Sequence, residues 1–222
     1  MWFDPTAFRY AETMKTIWIF LWRLIAFPWL GWGGYRALSY VYRFFWQRKY
    51  KDVPVDVYRS MDELVAKLAF GQAWRQDSWK ALWDSIGYPG RTQRILSGIE
   101  PQPKTDLDCD DFAIFVAHAI EHSRRAEPIL WSRYQKAHFF TVTWMDGWVI
   151  KGHNVCLLEV RTDEGTKYAY MDYDYPTRLC NNISEVAEIV RRKYSDKTHE
   201  PIVWMVSDLN LKPTLTQWGE PT

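Results

Sequence analysis

The chain has 222 residues, with 28 basic and 27 acidic side chains and a formal net charge of +1 at pH 7. This length and a hydrophobic content of 47% suit one globular domain with an appended segment. Because phosphate binding needs a basic surface, the near-neutral charge argues against nucleic acid as a partner. The three cysteines have no regular spacing, so they do not form a disulfide framework and fit a reducing compartment or a working thiol.

A hydrophobic segment rich in tryptophan opens the chain. Residues 16–33 contain a single charge, Arg23, and as a helix they would span about 27 Å, just short of a hydrocarbon core of about 30 Å. A proline and several glycines near their end would kink or end such a helix. Residues 35–51 combine aromatic and basic side chains at helical spacing, which is typical of an interfacial helix. We therefore divide the chain into this segment, residues 1–52, and a domain over residues 53–222.

Three interpretations of the segment stay open. It can be a membrane span or anchor, a surface that docks on a hydrophobic protein partner through residues 16–50, or a helical hairpin packed on its own domain. A cleaved secretory signal is not expected, because the apolar run is long, rich in tryptophan and lacks a small-residue cleavage site. If residues 16–33 span a membrane, the basic residues that follow outnumber Arg9 and Lys15 before them and place the domain in the cytoplasm. The sequence thus predicts a membrane-associated protein or a component of a larger particle, not a secreted one.

Two helices are predicted at the start of the domain. Ser60 and Glu63 fit a capping box, which predicts a helix that ends near Phe70. A second helix is predicted over residues 72–86, and residues 91–106 are expected to be irregular.

A cysteine among three aspartates follows at a predicted helix start. The preceding Pro-Gln-Pro-Lys-Thr-Asp cannot continue a helix, whereas apolar residues recur about every 3.6 residues from Cys109 to Ser123. Backbone N–H groups and the helix macrodipole stabilise a thiolate in a first turn, so Cys109 is a candidate nucleophile. The alternative is a small apolar cysteine that only packs in the core. The neighbouring aspartates are expected to form a solvated helix start, with Asp108 as the N-cap.

The same helix contains His118-Ala-Ile-Glu-His122, which fits the H-x-x-E-H pattern of zinc peptidases. Both histidines point away from the apolar side of the predicted helix, and the third ligand would have to be Glu185 or Glu188. A solvated face is therefore expected here, and neither a metal site nor a cofactor is predicted.

Two β-rich runs, residues 152–160 and 166–174, flank a glycine-containing turn and predict an antiparallel hairpin. If the loop has an even number of residues, the residue numbers of each cross-strand pair add up to an odd number. Asp172 and Asp174 then lie on the same face of the hairpin as His153. A carboxylate opposite or diagonal to an imidazole can orient it. Both aspartates are therefore candidate partners of His153.

The other elements of the domain are also predicted from pattern. Residues 128–134 and 137–144 read as strands, Ser184 is expected to cap a helix that ends near Tyr194, and residues 201–207 read as a last strand before a polar surface tail. Helices followed by an antiparallel sheet indicate an α+β domain with the cysteine-bearing helix packed on the sheet.

An ordered set of motifs in this domain resembles a known family. The set is Asp108-Cys109-Asp110-Asp111-Phe112-Ala113, a strand led by His153, and the strand end Tyr170-Met171-Asp172. It is similar to the transglutaminase-like superfamily, and most similar to the bacterial transglutaminase-like cysteine peptidases, over roughly residues 55 to 180. The resemblance implies a transglutaminase-like, papain-like fold with the nucleophile helix on an antiparallel sheet.

Carried over residue by residue, the resemblance implies a catalytic triad. Cys109 would be the nucleophile, His153 the general base and Asp172 the carboxylate that orients the base, with Asp174 as the runner-up. Leu107 and Tyr173 stand where the family usually has glycine and asparagine.

These residues predict a thiol-dependent acyl-transfer enzyme that hydrolyses amide bonds in a protein or peptide substrate, with hydrolysis favoured over crosslinking. The oxyanion donor is expected to be the backbone N–H of Cys109 or, second, the side chain of Gln102. The alternative is a non-catalytic scaffold or assembly protein of a membrane complex or a virus particle. Such a protein would keep the domain and dock through its N-terminal segment.

Overall fold

The computed structural model describes residues 47–69, 88–101, 107–146, 149–195 and 202–218. In chain order the elements are α1 (Gln47–Tyr50), α2 (Met61–Ala69), α3 (Pro89–Leu96), α4 (Cys109–Ala126), β1 (Tyr134–Asp146), β2 (Val149–Thr162), β3 (Gly165–Met171), α5 (Ile183–Tyr194), β4 (Ile202–Ser207) and β5 (Pro213–Trp218). Over these residues the protein has an α+β fold, as predicted.

Several predicted features lie outside the described residues. They are the hydrophobic segment up to residue 46, the helix expected over residues 72–86, and Gln102. Within the described ranges, no helix has the length and apolarity needed to cross a membrane.

The described strands form one antiparallel sheet in the order β3-β2-β1-β4-β5. The two-residue turn of the β2–β3 hairpin lies between Thr162 and Gly165, whose φ of 111° favours glycine. The residue numbers of each β2–β3 pair add up to an odd number, which confirms the register predicted for this hairpin. The pairing ends at Cys156 opposite Met171, immediately before the candidate carboxylate Asp172.

Helices α4 and α5 cover opposite faces of the sheet. Successive side chains of a strand point to opposite faces, so β2 contributes alternate residues to two separate hydrophobic clusters. On the α4 face, Cys156, Leu158 and Val160 pack with Phe112, Phe115 and Ile120; on the α5 face, Val155 and Leu157 pack with Val186, Ala187 and Val190. A residue of β2 therefore faces either the cysteine-bearing helix or α5.

Two helix starts differ from the sequence-based expectation. Helix α3 lies in a stretch predicted to be irregular, with a proline in its first turn and polar Thr92 and Gln93 buried. Helix α5 is capped by Asn182, whose side chain accepts the N–H of Glu185 at 2.9 Å, and not by Ser184. The predicted cap of α2 by Ser60 is confirmed, because Ser60 accepts the N–H of Glu63 at 3.1 Å, while the Glu63 carboxylate accepts the N–H of Arg59 rather than that of Ser60.

Two strand assignments also differ. Residues 128–133 form turns, and the strand begins only at Tyr134 and continues without a break to Asp146. The expected polar surface tail contains β5, which pairs with β4 at the edge of the sheet. Hydrogen bonding to an open edge stabilises a strand whose own apolar content is low, and residue composition alone does not reveal it.

The end of the N-terminal segment contacts its own domain. Tyr50 is 2% exposed, and its hydroxyl donates to Oε2 of Glu100 at 3.0 Å. A Cβ added at Gly90 would lie 2.9 Å from the carbonyl oxygen of Tyr50, so only glycine allows this close approach. The division of the chain after residue 52 stays a prediction.

The centre of α4 should control stability. Phe115 has no exposed surface, and we expect Phe115→Ala to lower the free energy of unfolding by about 3–5 kcal/mol through the cavity it leaves. Ile129 is 86% exposed, and Ile129→Ala should change the free energy of unfolding by less than about 0.5 kcal/mol. Urea unfolding followed by fluorescence measures both variants, and equal effects would contradict this placement of the core.

Candidate functional site

His153 and Asp172 form a buried hydrogen bond between β2 and the end of β3. Nε2 of His153 lies 2.8 Å from Oδ1 of Asp172, and the residues are only 8% and 6% exposed. Because the pairing of β3 with β2 ends one residue earlier, the chain at Asp172 is free to turn its carboxylate towards the ring. The structure therefore joins the two residues that the hairpin register placed on one face.

The runner-up carboxylate has a different position. Asp174 is exposed, and its Oδ1 accepts the backbone N–H of Tyr175 at 2.7 Å. Its role in the structure is that of a local turn residue, and Asp172 is the partner of His153.

The last turn of α5 fixes the second carboxylate oxygen. Nζ of Lys193 and the hydroxyl of Tyr194 donate to Oδ2 of Asp172 at 2.7 and 2.6 Å. The ring of Tyr194 also lies on the imidazole of His153, with centroids 4.0 Å apart. These contacts restrict both the carboxylate and the imidazole to one orientation.

The charge state of this group follows from its partners. Burial alone would raise the pKa of Asp172, but the hydrogen bonds from His153, Lys193 and Tyr194 outweigh it and lower this pKa below its usual value. Burial and the neighbouring carboxylate raise the pKa of the Tyr194 hydroxyl, so it keeps its proton and stays a donor. At neutral pH Asp172 is therefore an ionised carboxylate with three donors.

Cys109 is the first residue of α4, as predicted. Asp108 caps the helix, because its Oδ1 accepts the backbone N–H of Asp110 at 3.1 Å. The thiol donates to Oδ1 of Asp110 at 3.6 Å and accepts a hydrogen bond from Nδ2 of Asn154 at 3.8 Å. The sulfur thus lies against the residue that follows the candidate base on β2.

Neighbouring positions on a strand do not share a face. Asn154 lies on the α4 face with the sulfur, whereas His153 lies on the α5 face with Asp172. In the part of the chain that the structure describes, no hydrogen bond joins the sulfur of Cys109 to the imidazole. The structure brings histidine and aspartate together and places the thiol beside them, and the catalytic triad stays a prediction.

Tyr173 lies between the two faces at the edge of β2. Its φ of 63° is unusual for a residue with a side chain, and such conformations concentrate at functional sites. Its ring centroid lies 4.9 Å from that of Phe112 on α4 and 6.1 Å from that of His153. Burial raises the pKa of the Tyr173 hydroxyl, and the nearby thiol of Cys109 raises it further. Tyr173 thus contacts both halves of the site.

The thiol is protonated in this state. Burial raises the pKa of Cys109 well above the ordinary thiol value and Asp110 and Asp108 raise it further, while the hydrogen bonds from Asn154 lower it. Burial and the two carboxylates therefore outweigh the expected stabilisation of a thiolate by the helix start. The predicted solvated helix start is wrong, because Asp110 and Asp111 are each 3% exposed.

The H-x-x-E-H pattern does not assemble a zinc site. Nε2 of His118 contacts the carbonyl oxygen of Leu209 at 3.0 Å, and burial lowers the pKa of His118 to about 4. Glu121 is buried and accepts the N–H of Ala137 at 2.9 Å, whereas His122 is exposed. The expectation of a solvated face is correct for His122 and wrong for His118, which the β4–β5 loop covers.

One group of side chains within the described ranges has metal-ligand geometry. The ligand atoms of Asp108, Cys109 and Asp110 lie within 4.8 Å of one another. Two of these contacts are accounted for by the helix cap and the hydrogen bond from the thiol. The expectation that the protein needs no cofactor stays a prediction.

Asn154 is the residue of this site that the sequence interpretation missed. Its Oδ1 accepts the hydroxyl of Thr141 at 2.7 Å, directly across the β1–β2 ladder. The signal was present in the sequence: asparagine is a poor strand residue, and the next residues on the same face, Cys156 and Leu158, are apolar. A polar residue that interrupts a buried face needs a specific partner.

Comparisons of the chain with protein-family models, with curated proteins and with solved structures gave no match. The site is therefore interpreted from its own geometry.

The lowered pKa of Asp172 makes a prediction about stability and pH. A carboxylate whose pKa is lowered by folding contributes its full stabilisation at pH values above the usual aspartate pKa of about 3.9. This stabilisation is lost as the pH falls through the lower pKa that Asp172 has in the folded protein. The difference in urea midpoint between wild type and Asp172→Asn should therefore shrink below about pH 4. Asp174→Asn is the exposed control. A difference that stays constant from about pH 7 to pH 3 would contradict the ionised, hydrogen-bonded carboxylate.

The raised pKa of Cys109 makes a prediction about reactivity. Because only the thiolate reacts, alkylation by iodoacetamide should reach half its maximal rate above the usual thiol value of about pH 8.5. Asp110→Asn removes a negative charge beside the sulfur and should move this midpoint to lower pH. The fully buried Cys156 provides an internal reference of low reactivity. An unchanged midpoint in Asp110→Asn would show that the carboxylate does not control the thiol.

Proposed function

We propose that the protein is a thiol-dependent acyl-transfer enzyme of the transglutaminase-like cysteine peptidase type. The observation that carries this proposal is the buried hydrogen bond between His153 and Asp172 beside a helix that begins at Cys109. A thiol at a helix start, an imidazole on a strand and a carboxylate that fixes the imidazole are the parts of a thiol triad. The order of the motifs along the chain and their resemblance to that superfamily support the same interpretation.

The hydrogen bond to the carboxylate decides which ring nitrogen acts as the base. Asp172 is ionised and accepts at Oδ1, so Nε2 of His153 carries the proton of this hydrogen bond. Nδ1 is then the ring nitrogen left to act as the base. Asp172 orients the ring through this hydrogen bond, and the tilted ring of Tyr194 packs against it.

The reaction begins when Nδ1 of His153 takes the proton of the Cys109 thiol. The thiolate attacks the carbonyl carbon of a peptide or protein amide, and the imidazolium gives its proton to the leaving amine. Water then attacks the acyl-enzyme with His153 as base, which releases the carboxylic acid and restores the thiol. Catalytic hydrogen bonds are often long before substrate binds, and the mechanism requires Cys109 to rotate from Asp110 towards the edge of β2.

A second candidate function is that of a non-catalytic scaffold in a membrane complex or a particle. The observation that favours it is the protonated thiol, which is hydrogen-bonded to Asp110 on the face of β2 opposite the imidazole. In either case we propose that residues 16–50 attach the protein to a membrane or a hydrophobic protein partner, with the domain in the cytoplasm or within the particle.

Dependence on the imidazole separates the two candidates. In the enzyme, iodoacetamide should alkylate Cys109 near neutral pH at least about tenfold more slowly in His153→Ala than in wild type, because general-base assistance is lost. His122→Ala, which removes an exposed imidazole from α4, should react like wild type. Mass spectrometry of the cysteine-containing peptides measures the rates.

The scaffold predicts a different result. Alkylation of Cys109 would then be slow and equal in wild type, His153→Ala and His122→Ala. His153→Gln provides a polar replacement of similar size, and circular dichroism identifies any variant that fails to fold.

A further inference from the structure

Asn154 donates a side-chain hydrogen bond to the sulfur of Cys109. Its Nδ2 lies 3.8 Å from Sγ. This contact opposes the effect of burial on the pKa of the thiol by stabilising negative charge at Sγ. Among the residues around the thiol, Asn154 therefore has the donor chemistry that the neighbouring aspartates lack.

The amide of Asn154 is held in one orientation. Oδ1 accepts the hydroxyl of Thr141 at 2.7 Å, and Thr141 is only 4% exposed. With Oδ1 occupied by a hydroxyl donor, the NH₂ group is the part of the amide that points at the sulfur. A donor fixed before the reaction stabilises developing charge without further reorganisation.

The edge of β2 is accessible to the sulfur at this point for a structural reason. The hydrogen bonding between β2 and β3 ends at the pair Cys156–Met171, and Asn154 lies two residues beyond this end of the ladder. On its other side, Asn154 pairs with Thr141 of β1. The first turn of α4 can therefore approach the side of β2 that β3 would otherwise cover.

We infer that Asn154 is a catalytic residue of the proposed acyl transfer, and that its side-chain amide is a donor of the oxyanion hole. This inference rests on the proposed function and names the donor that the sequence had assigned to Gln102 or to the backbone of Cys109. The substrate class follows: an amide or ester whose carbonyl oxygen is directed towards β1, with its leaving group on the side of His153.

The proposed acyl transfer passes through a tetrahedral intermediate. The thiolate of Cys109 forms a bond to the carbonyl carbon, and the π electron pair of C=O moves to oxygen, where Asn154 donates to it. The oxyanion then reforms C=O, the bond to the leaving amine breaks, and that amine takes a proton from the imidazolium of His153. Oxyanion donors lie about 2.7–3.1 Å from the charged oxygen. In the tetrahedral intermediate this oxygen and Sγ of Cys109 are bonded to the same carbon, so a donor that contacts Sγ is close to the oxygen as well.

A simple structural role would be a buried cross-strand pair of Thr141 and Asn154. Such a pair would affect folding and every reaction of the thiol equally. An oxyanion donor affects acylation, which creates an alkoxide, far more than alkylation by iodoacetamide, which creates none. The ratio of the two rates therefore separates the two roles.

The test uses the full chain with two probes of Cys109, p-nitrophenyl acetate for acylation and iodoacetamide for alkylation. In Asn154→Ala we expect acylation to fall by about a hundredfold. Alkylation at a pH where the thiol is fully ionised should change less than about threefold, with its midpoint moved to higher pH. Asn154→Ser, which keeps a small donor, should lose less of the acylation rate.

Two further variants complete the comparison. Thr141→Val frees the amide to rotate and should cause a smaller loss of acylation than Asn154→Ala. Asn181→Ala removes an exposed asparagine that binds Lys167, and it should react like wild type. An equal effect of Asn154→Ala on both probes, or no effect on either, would overturn the assignment.

The outcome also distinguishes this inference from the proposed function. If wild type shows no acylation at Cys109, or acylation that is unchanged in His153→Ala, the proposed function fails and the oxyanion role fails with it. If acylation depends on His153 but not on Asn154, the proposed function stands and only the assignment of Asn154 is overturned.

Discussion

The site depends on one constraint, the early end of the hydrogen bonding between β2 and β3. The ladder stops at Cys156 opposite Met171, and three features follow within two residues on either strand. Asp172 turns its carboxylate to the imidazole, and Tyr173 enters the left-handed region. The edge of β2 at Asn154 becomes available to the helix that carries the thiol. A longer β3 would pair across this edge and separate α4 from it.

The electrostatics of the two halves of the site are opposed. Asp172 accepts three donors and is ionised, so the imidazole is oriented by a fixed negative charge. Around Cys109 the carboxylates of Asp108 and Asp110 disfavour a thiolate, and burial adds to this effect. The structure therefore holds a thiol with a raised pKa near an oriented imidazole. In the proposed mechanism the thiolate forms only when a base takes the thiol proton, and a protonated thiol reacts slowly with small electrophiles.

The sequence predicted the parts of the site that depend on local rules. Strand parity and an even-numbered turn were enough to place Asp172 and Asp174 on the face of His153, and the family resemblance favoured Asp172. The aspartate before the cysteine was enough to predict the cap of α4. The burial of Asp110 could not be read from charge, because it depends on which elements pack over the first turn. The face occupied by the sulfur is likewise a tertiary property. Helix periodicity shows which side of α4 is buried but not which face of the sheet receives it.

The placement of the two halves on opposite faces determines how they can be aligned. Helix α4 positions the sulfur, whereas α5 positions Asp172 through Lys193 and Tyr194, and through it the imidazole. The helices pack in separate hydrophobic clusters, so β2 and the ring of Tyr173 are the structural links between thiol and imidazole. Adjacent residues of one strand keep a fixed separation even when the helices on either face shift. Asn154 therefore suits the role of a rigid reference point for the sulfur, since its own orientation is set by Thr141 within the sheet.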